Sequence, residues 1–413
     1  MRRRTAVLAA AFVLVASLLP LAASAENGNG NGNGTSRYIV VLKDAVDSDA
    51  VANLHANKYG AAVDHVYNFA LHGYSAVIPN DRVAALRADE NVSFVSEDGT
   101  VDALAQQAPT GIRRIGASAD GATQTLANDG SGVGVAVIDT GIQLDHPDLA
   151  PVNAGTNCIR RNRPPADDNG HGTHVSGTIA ARENGAGVVG VAPGASLYAV
   201  KVLNSQGSGR WSQVICGIDW VTANAATIKV ANMSLGGSGT ATPSNADCTN
   251  GNSDALHTAI CNSVNAGVTY AVAAGNSAAD STNFLPAAYA EVITVSALSD
   301  SDGAVGGTGG APSCRPSERD DYFATFSNYG APVDIAAPGV CIYSTWLGSG
   351  YNTISGTSMA TPHVTGAAAL YIAAHPGATP AQVRSALVSA AQGSPISGDP
   401  DSFKEGILNV SGF

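Results

Sequence analysis

Six stretches of this chain are almost unbroken in apolar character: residues 132–138, 197–202, 230–235, 268–273, 292–295 and 334–337. Short apolar runs bounded by turn residues mark strands buried on both faces, as in a parallel sheet. Helical spacing separates several of them, over 211–223 and 253–265. Strands alternating with helices predict an α/β domain, a parallel central sheet with helices on both faces. A longer alanine-rich run, Val364 to Ala374, follows Gly356-Thr357-Ser358-Met359-Ala360-Thr361-Pro362-His363. It predicts a buried helix with Pro362 in its first turn, where a missing N–H costs little. A helix over 379–387 and an edge strand over 407–410 complete the domain.

The N-terminal quarter has a different pattern. Runs at 38–42, 63–69, 73–79 and 92–97 read as strands, and 47–59 and 81–89 as helices. The first helix would bury Val51, Leu54 and His55. This β-α-β-β-α-β order is the split βαβ (ferredoxin-like) arrangement of a small α+β unit over 37–102. Ahead of it, residues 26–36 are mostly Asn-Gly repeats that cannot build a core and read as a linker. Residues 1–25 join Arg2-Arg3-Arg4 to an apolar stretch ending Ala23-Ser24-Ala25, the pattern of a cleaved secretory leader rather than a membrane anchor. The large domain is then expected over 103–413, with processing between Ala103 and Gln107.

Composition sharpens this picture. A net charge of −12 excludes a phosphate-backbone binder, so no nucleic acid is expected as partner. The chain is 45% hydrophobic and 13% charged, as a well-buried protein should be. Six cysteines without a C-x-x-C pair suit three disulfides in an exported protein better than zinc. Fifteen pairings are open; the sequential one closes the shortest loops and is the expectation.

Three motifs carry chemistry. Asp139 ends the first buried strand, at the edge where open α/β sheets place their sites. The glycines before it do not complete G-x-G-x-x-G, which excludes a dinucleotide fingerprint. His171 lies among small residues in Asn169-Gly170-His171-Gly172-Thr173-His174-Val175. Ser358 opens the buried helix, at the positive end of its dipole. Singly, each has an ordinary reading: turn acid, loop histidine, helix cap. Together they supply a nucleophile, a base and an acid to orient the base, chemistry that needs no cofactor. A metal-dependent hydrolase on His171, His174 and Asp139 is a rival, weakened because H-x-x-H lacks the glutamate of H-E-x-x-H. A catalytically silent binding protein is another.

The order Asp139, His171, Ser358 is that of subtilisin. With Val137-Ile138-Asp139-Thr140-Gly141, His171-Gly172-Thr173-His174-Val175 and Gly356-Thr357-Ser358-Met359-Ala360-Thr361-Pro362-His363, the sequence resembles the subtilisin-like serine proteases, and their proteinase K branch in particular. The resemblance implies a secreted serine endopeptidase made as a self-processed zymogen. Residues 37–102 would be an inhibitor-type propeptide, acting as intramolecular inhibitor. It further implies an oxyanion-binding Asn276 and, just before it, Ala273, Ala274 and Gly275 as part of the substrate site. Two substrate-pairing segments follow, Gly207, Ser208 and Gly209, and Ser234, Leu235, Gly236 and Gly237. Backbone pairing predicts broad specificity, and the bare glycine wall a preference for apolar or aromatic side chains. Partners are then protein or peptide substrates, the enzyme acting as a monomer. The resemblance also implies a structural calcium held by Ala290, Val292 and Asp334.

Overall fold

In the first unit, alternation along Tyr38, Val40 and Leu42 puts one face of a strand into a core. A computed structural model of the protein describes residues 34–43, 46–98, 106–149, 151–241, 248, 254–393 and 396–413. The leader, the Asn-Gly repeats through Asn33 and the expected processing residues 103–105 lie outside these. The chain divides into two compact units, Met1–Ala103 and Leu104–Phe413.

Unit one runs β1 (Thr35–Leu42), α1 (Ser48–Tyr59), β2 (Ala62–Tyr67), β3 (Gly73–Pro79), α2 (Val83–Arg87) and β4 (Val92–Glu97). Its strands form an antiparallel sheet in the order β2-β3-β1-β4, the split βαβ arrangement. Strand β1 begins earlier than expected, because Thr35 and Ser36 find partners in Pro79 and Ile78 on β3. Asp47 caps α1 by accepting the Ala50 N–H at 3.0 Å. The buried stripe of α1 runs through Val51, Ala52, His55 and Tyr59, which leaves Leu54, expected inside, on its flank and 49% exposed.

Unit two opens with α3 (Thr110–Arg114), β5 (Gly134–Asp139), β6 (Asn153–Asn157), α4 (His171–Ala180) and β7 (Ser196–Lys201). It continues with α5 (Trp211–Ala223), β8 (Ile228–Met233), β9 (Gly237–Ser238), α6 (Ala255–Asn265), β10 (Thr269–Ala273), β11 (Phe284–Leu285) and β12 (Ile293–Ser299). Then come β13 (Tyr322–Phe323), β14 (Ile335–Pro338), β15 (Ile342–Trp346), β16 (Gly350–Ile354), α7 (Thr357–Ala374), α8 (Pro380–Ala390) and β17 (Gly406–Ile407). The central sheet has the order β17-β14-β12-β10-β8-β5-β7-β6, all neighbours parallel, with β13 antiparallel on β12.

Every residue of β5 is buried, and its side chains divide by the pleat: Val135 and Val137 face one core, Ala136 and Ile138 the other. The first core is covered by α4, α7 and α8, the second by α5 and α6. The chain passes from β5 through β6 to β7 on one side, then crosses to β8 on the other. That reversal makes the carboxyl end of β5 a topological switch point, where such sheets open a crevice. Disulfides join Cys158 to Cys216, Cys248 to Cys261 and Cys314 to Cys341, the sequential pairing. Among the described residues no helix is long and apolar enough to cross a membrane.

Candidate active site

Strand β5 delivers Asp139 fully buried to the switch point. Its Oδ1 accepts the Thr140 N–H at 2.7 Å and lies 2.8 Å from His171 Nδ1. His171 is the first residue of α4, entered through Gly170. Asp167 laces this helix start to the strand end. Its Oδ1 accepts the N–H groups of Asn169 and Gly170, each at 3.0 Å, and the Thr140 hydroxyl at 2.8 Å. Its Oδ2 accepts the N–H and hydroxyl of Thr173, at 3.0 and 2.6 Å. A Cβ on Gly172 would lie 2.1 Å from the Gly141 carbonyl oxygen, so only glycine allows the helix this close to the strand end. Burial works against a charge on His171. The charge and hydrogen bond of Asp139, with Asp167 behind, outweigh it and hold the imidazole pKa above its ordinary value.

Ser358 is the second residue of α7. The helix starts at Thr357, so Pro362 lies beyond the first turn where it was expected. A proline there frees the carbonyl four residues back, that of Ser358. Ser234 Oγ donates to that carbonyl at 2.7 Å, so the proline leaves no acceptor stranded. Asn232 Nδ2 donates to Ser234 Oγ at 3.0 Å, and Thr365 Oγ1 to Asn232 Oδ1 at 2.8 Å, tying α7 to the end of β8. The Ser358 hydroxyl itself donates to the Ser234 carbonyl at 3.2 Å. No hydrogen bond joins it to His171 among the described residues, although both line one cleft. Such bonds are commonly open without substrate.

Asn276 follows β10. Its Oδ1 accepts the Thr357 N–H at 2.8 Å and the Thr357 hydroxyl at 3.0 Å. An N–H donor there assigns the amide: oxygen toward Thr357, leaving the Nδ2 hydrogens free of that contact. The cleft, of about 930 Å³, is lined by His171, Ser358 and Asn276, by Gly207, Ser208 and Gly209, and by Ser234 through Ser238. Ala273 and Ala274, expected in the substrate site, are buried instead and, with Gly275, do not line the cleft. The Ala273 backbone is committed to the ladder with Val295 on β12. Gly237 pairs with Leu285, as β9 on β11.

His174 belongs to the scaffold. Its Nε2 faces the carbonyls of Ile342 and Asn352 at 2.9 and 3.2 Å, and burial pushes its pKa down to about 3. The metal-hydrolase alternative thereby loses its second ligand. The calcium expectation also needs correction. Arg384 on α8 donates Nε to Asp334 Oδ1 at 2.9 Å, a second nitrogen to the same oxygen, and Nη1 to the Ala290 carbonyl at 2.7 Å. Two of the three expected ligands, Ala290 and Asp334 but not Val292, thus already face a cation of the chain, and the set does not fit a metal ion. Asp334 is mostly buried and Arg384 about 39% exposed. Arg384→Ala should therefore cost roughly 2 kcal/mol, less than a fully buried pair. Thermal unfolding would show it as a Tm several degrees lower.

Asp167 has no distinctive sequence signal beyond the turn composition of Asp167-Asp168-Asn169-Gly170, and Thr357 stands inside the Ser358 motif without a role that the motif assigns. Lys201 lies in the strand expected over 197–202. Its buried Nζ donates to the carbonyls of Thr140 and Leu203 and to Asp168 Oδ1, the last at 2.6 Å.

A subtilase family profile matches residues 130–413, and a peptidase inhibitor I9 profile matches residues 37–103. The chain belongs to the subtilase family. It is 44% identical over 337 residues to the extracellular serine proteinase of Thermus sp. (strain Rt41A), covering 80% of this chain and 73% of that protein. Subtilisin E of Bacillus subtilis (strain 168) is 38% identical over 379 residues, covering 91% and 89%. A solved structure, a cold adapted subtilisin-like serine proteinase, superposes with a TM-score of 0.60 at 36% identity, covering 74% of this chain and 98% of that one. The parallel sheet is therefore the subtilisin-like fold. This subtilase is a serine endopeptidase with an I9 propeptide region at its N-terminal end.

Proposed function

We propose that this subtilase is a secreted endopeptidase of broad specificity that cleaves peptide bonds through Asp139, His171 and Ser358, with Asn276 as oxyanion donor. The observation that carries the proposal is the 2.8 Å contact of His171 Nδ1 with a buried carboxylate, beside the helix start bearing Ser358. Ser358 Oγ attacks the scissile carbonyl carbon while His171 Nε2 takes its proton. Asp139 Oδ1 holds Nδ1–H, fixing the tautomer and stabilising the imidazolium. The tetrahedral oxyanion accepts from Asn276 Nδ2 and the Ser358 N–H, aided by the α7 dipole. His171 then protonates the leaving amine, and water repeats the sequence on the acyl-enzyme.

Substrate pairs by its backbone with residues 207–209 and 234–236, so recognition reads little sequence. Gly236 and Gly237 leave room for apolar or aromatic side chains. Residues 37–102 assist folding, are cut by the enzyme itself, and then block the cleft as its inhibitor. The leader over 1–25 and the extracellular relative both support export. A serine-directed organofluorophosphate should abolish casein hydrolysis and add its mass at Ser358 in a peptide map, while a chelator should not stop the chemistry. Labelling elsewhere, or activity persisting after full labelling, would overturn the assignment.

A further inference from the structure

We propose that Asn328, far in sequence from the residues assigned above, is the positioning residue of the oxyanion donor; the inference rests on the reading of Asn276 just given. Asn276 stands on the turn leaving β10. A turn of glycine and small polar residues packs too little to fix itself, so whatever grips its backbone decides where the Asn276 amide points.

Asn328 is fully buried, and its side chain is spent on that turn. Its Nδ2 donates to the Ala274 carbonyl at 2.9 Å. Its Oδ1 accepts the N–H of Ser277 at 2.9 Å and of Ala279 at 3.1 Å. Its backbone N–H donates to the Gly275 carbonyl at 2.9 Å. The peptide groups on either side of Asn276 are thus bound to one residue. Gly275, at φ 110°, takes the left-handed conformation that lets the chain wrap so closely, and a Cβ there would lie 2.3 Å from Asn328 Nδ2. Thr357 meanwhile holds the Asn276 Oδ1. The donor is gripped at its base by Asn328 and at its tip by Thr357, and Asn328 does not line the cleft.

Only asparagine suits this bracket. Two N–H groups must be accepted and one carbonyl must be donated to, all within a short reach. Aspartate keeps the acceptors but sets a carboxylate oxygen against the Ala274 carbonyl, and alanine leaves both N–H groups unpaired and the carbonyl with only a long bond from Ser281 Oγ at 3.5 Å. An oxyanion donor helps only when already in place, and a misplacement of about 1 Å can cost on the order of 10²-fold.

The test is a double-mutant cycle. Asn328→Ala and Asn328→Asp are made alone and with Asn276→Ala, each precursor is opened by an added protease, and the mature enzyme is repurified. Hydrolysis of a chromogenic peptide amide gives kcat and KM, and thermal unfolding gives Tm. Asn276→Ala should lower kcat by about 10²–10³-fold, the order known for the corresponding donor of subtilisin. Asn328→Ala should lower kcat by about 10–100-fold with KM nearly unchanged, and Asn328→Asp by less. In the Asn276→Ala background either change should lower kcat less than about threefold further, because the donor it positions is gone. The same loss in both backgrounds, or a loss carried by KM, assigns Asn328 to stability alone and overturns the proposal. If Asn328→Ala does not fold, Asn328→Asp runs the same cycle. If Asn276→Ala leaves kcat unchanged, the oxyanion reading fails and takes this one with it; if Asn276→Ala is damaging and the cycle is additive, only the positioning role fails.

Discussion

Ser358→Ala should abolish turnover, lowering kcat by about 10⁶-fold, the order known for the nucleophile of subtilisin rather than a figure read from this geometry. The physical case is local. Ser358 Oγ stands at the start of an 18-residue helix and shares a cleft with an imidazole whose pKa is raised. Replacing the hydroxyl with hydrogen leaves the cleft, the base and the oxyanion donor intact. Tm should hardly change, since among the described residues the hydroxyl makes a single hydrogen bond, a 3.2 Å one to the Ser234 carbonyl beside the cleft. Two readouts check it: hydrolysis of a peptide amide, and the fate of the precursor. The variant should accumulate at full length, because self-processing needs the same nucleophile. A Ser358→Ala precursor that matured alone at the normal rate would contradict self-processing while leaving the peptidase intact.

The second large effect is expected for Asp139→Asn, at about 10⁴-fold in kcat, by analogy with the same change in another Ser-His-Asp protease. One oxygen, Oδ1 of Asp139, meets both the Thr140 N–H and His171 Nδ1, so an asparagine either keeps a neutral oxygen there, without the charge, or turns its NH₂ toward Nδ1 and favours the wrong tautomer. The tautomer with a proton on Nδ1 loses its support. The sign of the pH dependence follows. His171 must be neutral to act as base, and its raised pKa places the acid limb of the wild-type profile above pH 6.5. Burial opposes the charge and Asp139 is the chief cause that restores it, so in Asp139→Asn the limb should move to lower pH as kcat falls. A pH–rate profile of kcat/KM for both enzymes measures this. An unmoved limb would mean that the carboxylate does not set the imidazole's pKa.

Much of the architecture could be read from the chain because burial on both faces writes itself as continuous apolar runs. The β5 strand and its terminal acid are the clearest case. What could not be read was decided by partners remote in sequence. α7 starts at Thr357, one residue before the Ser358 expected to open it, but the partner that holds that start, Asn276 accepting the Thr357 N–H, lies 81 residues away. Resemblance pointed to calcium at Asp334, yet the cation comes from a helix 50 residues further on. The backbone of Ala273 is taken by its own sheet and its side chain is buried, a pairing with Val295 that no local pattern announces. Asn328 reaches back about as far to the turn at Asn276, and no periodicity announces a side chain whose whole task is to hold a distant loop.

The guanidinium at Asp334 has one more consequence. Stabilisation by a dissociable ion grows with its concentration and vanishes when a competitor strips it away. A positive charge carried on α8 is held at a fixed effective concentration, whatever the medium contains. Citrate, phosphate or acidic polymers in the surroundings of an exported enzyme therefore have nothing to extract at this corner of the sheet.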